Sequence, residues 1–183
     1  MNKLWVMLYV AVIAAANILT ASLDPLRFGA FIVPVGTFLI GATFVLRDFV
    51  QNAVGRKLTY ATIAAAMLIS ATTSFLLGDT LWIVFASAAT FAVSETTDTE
   101  IYSRLRLPIS LRVLYSGLVG GVVDSVLFVL IGLSPLGAGF LPWEAVGSAI
   151  VGQILVKTAM QALGAGLIGM LPEHTETQTP GYR

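Results

Sequence analysis

From Leu4 to Leu171 the chain is a succession of apolar runs, each about as long as a bilayer's hydrocarbon core is thick, separated by short polar or proline-bearing links. A spanning helix needs about 20 such residues. Inside hydrocarbon every backbone N–H and C=O must find a partner within the protein, which leaves helices or closed barrels, and runs of this length select helices. Composition agrees: 57% of the 183 residues are hydrophobic and 11% are charged, against roughly a quarter charged in soluble domains. There is no cysteine, which excludes disulfides, thiol catalysis and Cys-type metal sites. Net charge is formally zero and no basic run points to nucleic acid. The single histidine, His174, stands in a polar tail beside Glu173 and Glu176 and reads as solvated, so no metal site is expected.

The runs predict an all-α membrane protein, a six-transmembrane-helix bundle with spans at about 4–22, 28–54, 58–77, 81–102, 109–133 and 143–171 and a polar cytoplasmic tail at 172–183. Asp24-Pro25 ends the first run, because proline disfavours helix at the residue before it. That run is longer than the apolar core of a signal peptide, about 7–15 residues, and is read as a retained helix. Gly55-Arg56-Lys57, Gly78-Asp79 and Pro108 mark later turns. With six spans, Lys3, Arg56, Lys57, Arg104, Arg106 and Arg183 fall on one side, with Arg112 close by, and only Arg27 on the other. The excess of basic residues in cytoplasmic connections then puts both termini in the cytoplasm. Gly117 and Gly121 have GxxxG spacing, which is read as packing within the bundle rather than dimerisation.

Polar residues inside such runs are costly, and this sets the candidate site. The stretch SETTDTEIYSRLR closes the fourth run with Glu95, Asp98 and Tyr102 at i, i+3 and i+7, on one helical face. Asn17, Asp48, Gln51, Asp124, Ser125, Gln153 and Lys157 occupy other runs, with Arg47 beside Asp48. A lone ion at the centre of a span costs about 2.5–3.5 kcal/mol on insertion scales, so these groups must pair or meet a polar ligand. Acids outnumber bases in the set. The surplus acceptors point to a small ligand rich in N–H groups or to protons moving through the site. Tyr102, Phe85, Phe91, Trp82 and Phe128 are aromatics available to stack on a flat ring. With no histidine or cysteine in the runs and no serine-nucleophile elbow, no catalytic residue is assigned and an intramembrane enzyme is the weaker reading.

AAANIL, VPVGTFLIGATFVLRDFVQNAVGR, SETTDTEIYSRLR, GGVVDSVLF and GQILVKTAMQ occur in this order along nearly the whole chain. This ordered set resembles the VUT family, vitamin-uptake-type membrane proteins that include bacterial queuosine-precursor transporters. The resemblance implies a multi-pass protein of the bacterial inner membrane that takes up a 7-deazaguanine base such as preQ0, preQ1 or queuine, without a cofactor. Asn17, Asp48, Gln51, Glu95, Asp98, Tyr102, Asp124, Ser125, Gln153 and Lys157 would line its pocket, with Asp98 and Glu95 first for the donor edge of the base and Asp124 or Lys157 for its carbonyl side or for holding the pocket. The chain has no GxxxxGK[ST] motif and so does not itself hydrolyse ATP. It either carries the base alone or serves as the substrate-binding subunit of a multi-subunit importer. Partners expected are therefore the deazapurine, the lipid bilayer, and either copies of itself or energy-coupling subunits.

Overall fold

The computed structural model describes residues 2–170, so the tail with His174 lies outside the described residues. Six helices make up most of it: α1 Asn2–Ser22, α2 Gly36–Val54, α3 Arg56–Leu76, α4 Leu81–Arg104, α5 Ile109–Leu127 and α6 Trp143–Met170. The polypeptide leaves α5 through a π-helical segment, Phe128–Leu133. Short turns join α2 to α3, α3 to α4 and α4 to α5, whereas longer connections join α1 to α2 and α5 to α6; consecutive helices pack along one another, and α2 also packs against α5 and α6. Leu68, Leu76, Leu163 and Leu167 are exposed on the outside of the bundle. An apolar exterior around a polar interior is the arrangement a bilayer requires and water does not.

Among the described residues, four helical stretches are long and apolar enough to cross a membrane: Lys3–Ser22, Arg56–Leu76, Ile109–Leu133 and Trp143–Met170. The remaining helices, α2 and α4, are less apolar because they hold Arg47, Asp48, Gln51 and Asn52, and Glu95, Asp98, Glu100 and Arg104. All-α is therefore the class of the bundle, with one departure. Residues 28–35, expected to open the second span, are not helical. Leu26–Phe28 and Phe31–Val33 form an antiparallel hairpin, β1 and β2, with Phe28 opposite Phe31. Gly29 at φ +60° starts the two-residue turn, as a type II′ hairpin requires, and Pro34 delays α2 to Gly36. The hairpin leans on α6, where Gly152 lies against Phe31 and Val33.

Glycines let the helices approach closely. A Cβ on Gly36 would stand 2.3 Å from the Ala16 carbonyl oxygen of α1. On α5, Gly117 faces Gln161 and Gly121 faces Lys157, both on α6, while Gly120 faces Asp98 on α4. The GxxxG pair thus packs inside the bundle and makes room for polar side chains of its neighbours.

Candidate functional site

The polar interior divides into two parts along the bundle. The first is a cavity of about 240 Å³ at the end that carries the 23–35, 77–80 and 134–142 connections. Six helices contribute to its wall, including Asn17 from α1, Thr37 from α2, Ser70 and Ser74 from α3, Thr90 and Phe91 from α4, Asp124 from α5 and Gln153 from α6. Pro34, Asp79 and Phe140 stand toward its mouth.

At the cavity floor Lys157 donates to Asp124 Oδ2 at 2.6 Å, Ser125 Oγ at 3.0 Å and Gln153 Oε1 at 3.1 Å. An ammonium has three N–H donors, so all of them are used. Asp124 Oδ1 accepts from Ser94 Oγ at 3.1 Å. The pair is buried and closed on itself. Its neighbours are not. Gln153 turns its carbonyl to Lys157, which fixes the amide orientation and leaves Nε2 buried without a partner; Thr90 Oγ1 is likewise buried and unpartnered. Asn17 spends both amide hydrogens on Ser70, at 3.0 Å to the carbonyl and 2.9 Å to the hydroxyl, so what remains to it is an acceptor, Oδ1. Phe91 and Phe128 also line the wall.

The second part lies deeper, toward the 55 and 105–108 turns. Arg47 is fully buried and pairs with Asp48 at 2.9 Å, with Glu95 at 3.5 Å and closely with Asp98. One guanidinium thus holds three carboxylates on two helices. Its Nη1 donates to Gln51 at 3.1 Å, and Gln51 Nε2 donates to Ser103 at 2.9 Å. Tyr102 bonds Asn52 at 2.8 Å, and the Arg112 guanidinium stacks 4.0 Å from its ring centroid. Glu100 ties α4 to α3 through Arg56 and Tyr60. These links join α2, α3, α4 and α5, and none of Arg47, Asp48, Glu95 or Asp98 lines the cavity.

The ten residues singled out from the sequence are therefore split. Asn17, Asp124, Gln153 and Lys157 line the cavity, and Ser125 sits just behind it on Lys157. Asp48, Gln51, Glu95, Asp98 and Tyr102 belong to the Arg47 cluster, so the acids taken as first choice for the ligand's donor edge do not line the cavity. Of the aromatics, Phe91 and Phe128 line it, whereas Trp82 and Phe85 are exposed. Asp79 and Thr90 were missed. Asp79 follows Gly78 and reads as a turn residue, while Ser87, Thr90 and Ser94 recur at i, i+3 and i+7, a hydroxyl stripe that could have marked the wall. Among the described residues no group of three or more His, Cys, Asp or Glu is arranged to hold a metal ion.

A family model described as "Putative vitamin uptake transporter" matches residues 71–171, more than half of the chain. The chain belongs to the VUT family. The match covers α4, α5 and α6, and with them Asp124, Gln153 and Lys157 of the cavity and Glu95 and Asp98 of the cluster. No curated protein and no solved structure matches the chain. Membership makes this VUT protein a transporter by family, in keeping with its apolar helices.

Proposed function

We propose that the chain is a six-span importer of the bacterial inner membrane, both ends cytoplasmic, that carries a queuosine precursor of the 7-deazaguanine class. The observation that carries this reading is the unspent hydrogen-bonding capacity of the cavity wall. Gln153 Nε2 offers a donor, Thr90 a hydroxyl and Asn17 Oδ1 an acceptor, beside the Phe91 and Phe128 rings. A guanine-type edge is complementary: its carbonyl accepts from an amide, its ring N–H and exocyclic amine donate to an amide oxygen, and its faces stack on aromatics. Buried polar groups left unpaired cost about 1–3 kcal/mol each, so a ligand that pairs them gains both affinity and selectivity. The size fits as well. A cavity of about 240 Å³ is below the roughly 300–1,000 Å³ of drug-sized pockets, which suits one flat base and not a large vitamin.

In this reading the Arg47 cluster is the closed half of an alternating-access carrier. The cavity opens toward one end of the bundle, and the ion pairs of Arg47 on α2 with Glu95 and Asp98 on α4 seal the other. Placing both ends of the chain in the cytoplasm makes the open end the outer one, as uptake requires. The deciding experiment is equilibrium binding to purified protein of guanine, adenine and 7-deazaguanine bases, followed by uptake of labelled base into cells. Micromolar binding of deazaguanines with no binding of adenine is expected. Adenine binding as tightly as the deazaguanines, or the guanine class not binding at all, rejects the assignment.

A further inference from the structure

Among the described residues, three charged side chains line the cavity: Asp79, Asp124 and Lys157. Two of them cancel, since Lys157 and Asp124 are paired at 2.6 Å. Asp79, in the turn between α3 and α4, is left. It is half-buried, accepts a hydrogen bond from Ser74 Oγ, and has no ion-pair partner among the described residues. The cavity therefore carries one uncompensated negative charge at its mouth. A ligand bringing a positive charge there would form a charge-assisted hydrogen bond, which a neutral ligand cannot.

The position of that charge narrows what the ligand must look like. Asp79 hangs on Ser74, and Asn17, the acceptor of the wall, hangs on Ser70 of the same helix. Four residues of α-helix rise about 6 Å, so the two serines that anchor these acceptors are separated along α3 by about the length of a fused two-ring base. The unpartnered Gln153 Nε2 and Thr90 Oγ1 independently mark the same cavity as built for a polar guest.

We propose that Asp79 is the specificity residue for a primary ammonium arm at the far end of the ligand, so that the preferred cargo is a base bearing an aminomethyl-type cation rather than a neutral substituent. This rests on the base-binding reading above. It adds the charge of the cargo and the residue that reads it.

The test is calorimetric binding to the purified full chain of a matched pair of bases, 7-aminomethyl-7-deazaguanine, cationic at neutral pH, and its neutral 7-cyano counterpart. The expected wild-type preference for the cation is about tenfold. Asp79→Asn should erase that preference by weakening the cation alone, and Asp79→Glu should keep it in part. Equal wild-type affinity for the two bases, or an equal loss of both in Asp79→Asn, overturns the role of Asp79 while leaving base recognition standing. Binding of neither base overturns both. If Asp79→Asn does not fold, as read by circular dichroism, the wild-type comparison together with Asp79→Glu decides the matter.

Discussion

Lys157 on α6 and Asp124 on α5 meet at 2.6 Å, and every N–H of the ammonium is spent on the protein itself. An ion pair closed in this way is part of the cavity floor rather than a hand held out to a ligand. Removing one member strands the other, which for a buried pair costs about 3–5 kcal/mol. Lys157→Met should therefore lower the melting temperature and the yield of inserted protein, and adding Asp124→Asn should restore much of both. A single mutant as stable as wild type in a detergent melt would show that the pair is dispensable.

Gln153 holds Lys157 with its carbonyl and faces the cavity with its amide. Gln153→Glu keeps an acceptor for Lys157 but replaces the free donor with a second acceptor. Base affinity should fall about 10- to 100-fold, the cost of an unpaired polar group plus repulsion of the ligand carbonyl. Titration calorimetry on the purified variant checks this, and unchanged affinity would remove Gln153 from recognition.

Asp98 pairs with Arg47 away from the cavity, so its substitution should separate binding from movement. Asp98→Asn is expected to bind the base as wild type does and to lose uptake, because the ion pairs between α2 and α4 are what must break and reform as the carrier turns over. Parallel measurement of binding in detergent and uptake in cells reads this out. Loss of binding with retained folding would place Asp98 in the ligand site after all.

Gly36 crosses α1 where a Cβ would lie 2.3 Å from the Ala16 carbonyl oxygen, a backbone atom that cannot swing aside. Gly36→Ala should destabilise the protein by about 1–3 kcal/mol, the usual range for overpacking. Gly166, with nothing within 4 Å of its added Cβ, is the control, and Gly166→Ala should be neutral or mildly stabilising. Equal melting temperatures for the two variants would refute the close crossing.

The length and apolarity of the runs were enough to determine helices, because hydrocarbon leaves the backbone few other choices; Lys157 and Asp124 likewise had to meet partners, because an isolated ion in a span is too costly. Where the letters misled, the cause was local. Pro34 and Gly29 turned an apolar stretch into a hairpin, since backbone geometry outranks hydropathy there. The division of the polar residues between the cavity wall and the Arg47 cluster came instead from how the helices pack. Glu95 lies beside Ser94 in sequence, yet Ser94 reaches Asp124 at the cavity floor while Glu95 joins Arg47. Successive residues on a helix point about 100° apart, so neighbours in sequence serve different sites, and which site each one serves depends on the helix that packs against its face.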